Sequence, residues 1–86
     1  MKMNGRLFHG ATVLRDVTAE VPDGNGGYQD RLEQLLVAVC RELSVAVPMW
    51  LTKNTKEYVR FRRTSFGSDQ FFEQVHFDRM EIRVEE

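Results

Sequence analysis

Apolar residues recur along this chain at two different periods, and the switch between them marks out the elements. From Tyr28 to Leu43 the period is helical: Tyr28, Leu32, Leu35, Leu36, Val39, Cys40 and Leu43 recur at three- and four-residue spacing, and Gln29, Asp30, Arg31, Glu33, Gln34, Arg41 and Glu42 take the other side. The spacing predicts a helix over 28–43. Before it the period is two. Lys2 to Val21 reads as a β-hairpin turning at Gly10-Ala11, because that register sets Phe8 opposite Val13 and Leu7 opposite Leu14. A turn at His9-Gly10 pairs Leu7 with Thr12 and Phe8 with Ala11, which packs worse. Glycine at the first central position is what a type II′ turn requires. In the second strand Val13, Val17, Ala19 and Val21 share a face, with Arg15 as the exception.

The remaining segments are shorter. Pro22 to Gly27 is a loop, since proline cannot extend a ladder and glycines permit positive φ. Val45 to Leu51 is apolar and interrupted by Pro48, which places Val47 in extended backbone and directs Trp50 toward the core. A second helix is expected from Asn54 to about Arg63, with Asn54 and Glu57 in the form of a capping box. Gly67-Ser68-Asp69 reads as a break and Gln70 to Gln74 as a single helical turn. The tail, Val75 to Val84, reads as a strand with Met80, Ile82 and Val84 inward and Glu81, Arg83 and Glu85 in water. Phe77 has the wrong parity, which suggests a bulge or an edge start. The order β-β-α-α-β predicts an α+β fold: a small antiparallel sheet, the N-terminal hairpin plus the C-terminal strand, packed against one longer and one shorter helix.

Composition changes this picture only by exclusion. Eighty-six residues suit a single domain over 1–86. The one cysteine, Cys40, leaves no internal disulfide framework. The N-terminal segment has no apolar run of signal-peptide form, and Leu35 to Cys40 is far short of the roughly 20 residues of a membrane span. A cytoplasmic protein without membrane contact is expected. A pI near 6.1 is not that of a dedicated nucleic-acid coat.

Candidate chemistry is sparse. His9, His76, Cys40 and Asp78 are the available metal donors, without paired cysteines or H-x-x-x-H spacing. Asp23, Asn25 and Gly27 stand like the opening of an EF-hand loop, but Tyr28 and Gln34 occupy the places that need Gly and Glu. The G-N-G-G run before the first helix resembles an anion site, yet no Gly-Lys-Ser/Thr follows. Cys40 lies on an apolar stripe, where a thiol behaves as a small hydrophobe. Arg62-Arg63-Thr64-Ser65 has the short R-R-x-S form of a kinase site, common by chance. No catalytic residue, metal or cofactor is expected.

The most distinctive stretch is Trp50 to Phe66. It carries Lys53, Lys56, Arg60, Arg62 and Arg63 against a single acid, Glu57, with Trp50, Tyr58, Phe61 and Phe66 interleaved. On a helix Lys53, Lys56, Arg60 and Arg63 make one stripe, with Arg62 displaced and Tyr58, Phe61 and Leu51 opposed. The plainest account is a solvated helix face whose aliphatic stems cover the aromatics. Contact with an acidic protein surface ranks next, and nucleic-acid backbone contact third.

The segments V-P-M-W-L-T-K-N-T-K-E-Y-V-R-F, T-S-F and F-D-R-M-E-I resemble a group of small uncharacterised bacterial proteins, mainly clostridial. The resemblance spans nearly the whole chain and is most specific in V-P-x-W-L and K-N-x-K-E. It implies a cytoplasmic bacterial protein and brings no activity, substrate or functional residue. The expected function is a non-enzymatic module that binds an acidic protein partner or itself through Lys53, Lys56, Tyr58, Arg60, Arg62 and Arg63. The alternative is a small nucleic-acid-associated protein using segment 50–66.

Overall fold

The computed structural model describes residues 1–24 and 26–86. Asn25, the middle position of the calcium-like pattern, lies outside the described residues. The chain is α+β, as its periodicity predicts. Strands β1 (Lys2–His9) and β2 (Thr12–Glu20) lead into helix α1 (Tyr28–Leu43), helix α2 (Thr52–Phe61), strand β3 (Arg63–Gly67), a short 3₁₀ turn (Ser68–Gln70) and strand β4 (Arg79–Glu85). The sheet is antiparallel throughout, in the order β2-β1-β4-β3. The first and last strands therefore pair at its centre.

Alternation sorts the sheet into two faces. Met3 and Leu7 of β1, Thr64 and Phe66 of β3, and Met80, Ile82 and Val84 of β4 are buried under the helices. Two cross-strand rows carry the core: Val17–Gly5–Ile82–Thr64 and Arg15–Leu7–Met80–Phe66. The α1 stripe Leu35, Leu36, Val39, Cys40 and Leu43 closes over β1 and β2. Its last turn ends with Ser44 at φ +61°, where Ser44 N–H donates to the Arg41 carbonyl and Val45 N–H to the Cys40 carbonyl. That is a Schellman stop made without glycine.

The hairpin turns at Gly10-Ala11 as expected. Gly10 alone of the two has positive φ, +58°, and Phe8 pairs with Val13. The next pair is not Leu7 with Leu14. A bulge between Leu7 and Phe8 leaves Leu14 extra, and Leu7 faces Arg15. The bulge also separates Val13, half exposed beside Phe8, from Val17 and Ala19, which pack on the core. Arg15, on the helix side, reaches the Glu42 carbonyl at 2.8 Å and so finishes the C-terminal end of α1.

Several boundaries differ from the sequence reading. Helix α2 begins at Thr52, and Asn54 is its third residue rather than its cap: its side chain accepts from Leu51 N–H at 2.9 Å. The helix stops at Phe61, because Arg62 turns into the left-handed region at φ +55°. Arg62 and Arg63 are thus not helical. Arg63 opens β3, a strand the periodicity did not separate from the helix. Its alternating Thr64 and Phe66 are too short a signal to stand alone, and pairing with β4 defines it. The final helical turn lies at Ser68–Gln70, not Gln70–Gln74. Strand β4 starts at Arg79, four residues later than expected. Phe77 is therefore no bulge: it precedes the strand, buried edge-to-face on Phe71 at 5.1 Å between ring centroids.

Candidate binding groove

Helix α1 lies over β1 and β2, and α2 lies over β3. The strip of core between them is roofed by the segment 45–51. Pro48 there is buried, and Trp50 tilts over Phe66 at 5.7 Å and meets Tyr58 edge-on at 6.0 Å. Trp50 is only partly buried, and its indole N–H donates to Thr55 Oγ1 at 2.8 Å.

A hydrogen-bonded cluster fixes this roof to its surroundings. Asn54, fully buried, donates to Thr64 Oγ1 at 2.7 Å and to the Ser65 carbonyl at 2.9 Å. Gln70 donates from its side chain to the Met49 carbonyl at 2.9 Å and to Asn54 Oδ1 at 3.0 Å, while its own carbonyl accepts from Met49 N–H at 2.7 Å. Thr64 in turn donates to Glu57. Asn54, Thr64 and Gln70 each have their partners, so the network holds the start of α2, β3 and the 3₁₀ turn in one geometry.

What remains open between the helices is an apolar groove of about 790 Å³. Leu32 and Leu36 of α1, Pro48 and Trp50 of the roof, and Tyr58 of α2 form its floor and walls. Val37, Val47 and Val59 stand on its rim, 43%, 42% and 68% exposed. Such surface is costly to leave in water, and contiguous apolar patches mark places where something docks.

At one end Tyr28 and Tyr58 join their hydroxyls at 2.6 Å. Burial, followed by the Glu86 carboxylate, raises the Tyr28 phenol well above its ordinary value. Burial raises Tyr58 as well, against the opposing pull of its bond to Tyr28 and of Arg62. Both are neutral phenols at ordinary pH. Arg62 lies over the Tyr58 ring at 5.6 Å, donates to the Tyr58 and Val59 carbonyls, and sits 3.8 Å from Glu86.

The residues singled out in the sequence are only partly brought together. Lys53, Lys56 and Arg60 remain on the exposed side of α2. Lys53 spends its ammonium on the Ser65 carbonyl at 2.9 Å, and Arg60 lies over Phe61 at 5.5 Å. Arg62 is bound into the helix end. Arg63 is exposed on β3, directly opposite Arg83 of β4. Of the interleaved aromatics, Tyr58 is 6% exposed and Phe66 fully buried, so these two serve the core, whereas Phe61 is 56% exposed. The expected metal donors fare similarly: His9 lies 3.7 Å from Asp78 at the exposed hairpin end, His76 is exposed, and Cys40 is buried in α1.

The groove itself went unread. Its signal was present in Val37 and Val59, apolar residues that fall outside the inward stripes of their helices. In comparisons with known proteins the chain matches no family model, no curated protein and no solved structure.

Proposed function

We propose that this protein is a non-enzymatic interaction module that docks a protein partner on the face formed by α1 and α2. The supporting observation is the apolar groove with exposed Val37, Val47 and Val59 on its rim. Obligate and tight interfaces gather such apolar residues at their centre with charges around them. Here Glu33 and Arg62 flank the groove, and Lys56 and Arg60 lie beyond Val59. Of the polar groups facing the groove, the two phenols hold each other and Thr55 holds Trp50. That arrangement orients a surface rather than poising an acid or a base.

A photoreactive benzoylphenylalanine in place of Val59 or Val37 tests this in the native cell. Illumination is expected to give protein adducts from both positions and none from the same residue placed at Arg83 on the opposite side of the sheet. Adducts that disappear on nuclease treatment, or no adducts from either groove position, overturn it.

A further inference from the structure

We infer that the partner segment received by this groove is both acidic and apolar: it sets a carboxylate against Tyr28 and Arg62 at one end and apolar side chains along the rest. The inference rests on the groove being a docking face and adds the chemistry of what fills it.

The polar corner of the groove carries it. Tyr28, Tyr58 and Arg62 all line the groove. Two neutral phenols bring two protons, and the 2.6 Å bond between them uses one. The other is left for an acceptor outside the pair. Arg62 spends Nη1 on the Tyr58 and Val59 carbonyls, and its Nε faces the Glu86 carboxylate at 3.8 Å. A phenol proton beside a guanidinium edge is a donor set for a carboxylate, which the planar fork takes side-on.

The chain shows this preference with its own side chain. Glu86 is the acid that lies there, beside the Tyr28 hydroxyl and Arg62. It is held loosely. At 3.8 Å it is beyond hydrogen-bond reach of Nε, and the Arg62 and Glu86 side chains are 50% and 54% exposed. Such a pair contributes little, so a carboxylate that arrives with apolar contacts displaces it at small cost. Leu32, Leu36 and Trp50 supply those contacts next to the corner. A basic segment would meet Arg62 with like charge instead. Along α1 the groove runs from Tyr28 to Val37, ~14 Å at 1.5 Å per residue. That is the length of about nine residues of helix or four of extended chain.

Benzoylphenylalanine at Val37, the end of the groove far from Arg62, reports occupancy in the native cell without touching the corner. Arg62→Asn, which tolerates the left-handed backbone at φ +55°, and Tyr28→Phe should each lower the adduct yield about fivefold or more, and Glu86→Gln should raise it about twofold. Mass spectrometry of the adduct should place an Asp or Glu within about nine residues of the cross-link. A synthetic peptide copying that segment is then the probe. Changing its acid to the amide should weaken binding to the wild-type chain about tenfold and leave binding to the Arg62→Asn chain nearly unchanged, a coupling that a general loss of folding does not produce. Circular dichroism verifies folding, and Tyr28→Phe takes the place of Arg62→Asn in the cycle if the latter does not fold. A cross-linked segment without an acid, yields indifferent to all three substitutions, or an equal acid-to-amide loss in both chains overturns the inference and leaves the docking face in place. No adducts from Val37 or Val59 remove both.

Discussion

Two glycines of this chain do different work, and their substitutions separate steric from conformational cost. Gly5 lies in the middle of β1 beneath α1. A Cβ built there falls 2.2 Å from Val39 Cγ1, inside any real contact distance. Hydrogen at this position is what lets the helix seat on the sheet. Gly5→Ala is expected to cost on the order of 1–3 kcal/mol in chemical denaturation, as overpacking does. Trimming Val39 to Ala in the same chain should return part of that loss. Strict additivity of the two changes would show that the contact is not the cause. Gly10 has nothing within 4 Å but stands at φ +58°. Gly10→Val should therefore cost about 1 kcal/mol or more through the backbone alone, and Gly10→Asn much less.

Cys40 belongs to the same scale. It is 1% exposed, and burial pushes its thiol from 9.0 to about 11. The folded state holds that proton more tightly than the unfolded chain. The resulting stability is complete below pH 9 and is lost as pH rises toward 11. Tyr28 and Tyr58 act in the same direction, beginning only from 10.0 upward. Denaturation midpoints of the wild-type chain should accordingly start to fall just above pH 9, whereas those of Cys40→Ala should hold until the tyrosines titrate. Coincident onsets in the two proteins would contradict this, and so would native thiol labelling as fast as labelling in denaturant.

Among the elements, α2 depends most on its surroundings. Its first turn has no acid to favour the N-terminal dipole, and Leu51 is a poor cap. Asn54 compensates by reaching back to Leu51 N–H and across to β3 and Gln70. Removing its side chain leaves Leu51 N–H, Thr64 and Gln70 short of partners in the interior. Asn54→Ala should cost about 2–4 kcal/mol, well beyond a helix-propensity change. It should also raise hydrogen exchange in Met49 and Leu51 before the rest of the core. If those amides exchange only with global unfolding, the network does not hold the roof.

At the scale of the whole molecule, charge is set apart from stability. Lys56 and Arg60 are exposed on α2, and their reversal to Glu should move the folding free energy by no more than about 0.5 kcal/mol each. A large drop in the melting midpoint of a dilute sample would instead make them part of the fold. The opposite side of the sheet is charged in both signs, as in the Arg6–Asp16 pair at 3.0 Å. On the helical side Val37, Val47 and Val59 are left exposed along the groove.

The residue pattern alone determined α1 to its exact ends, the place of the hairpin turn and the inward set Met80, Ile82 and Val84. Each rests on local periodicity or on a single backbone requirement, and these need no knowledge of neighbours. Tertiary structure decided the rest. It stopped α2 at Arg62, where no glycine or proline marks the end, because β3 gains more by pairing with β4 than the helix gains by another turn. It shortened β4, since Phe77 is better buried on Phe71 than alternating along a strand. It turned Tyr58 and Phe66 from a possible binding stripe into core, and separated Arg63 from Lys53, Lys56 and Arg60. The groove is of the same kind: Leu36, Pro48, Trp50 and Val59 are far apart in the chain, and only the placement of two helices on one sheet brings them to a common surface.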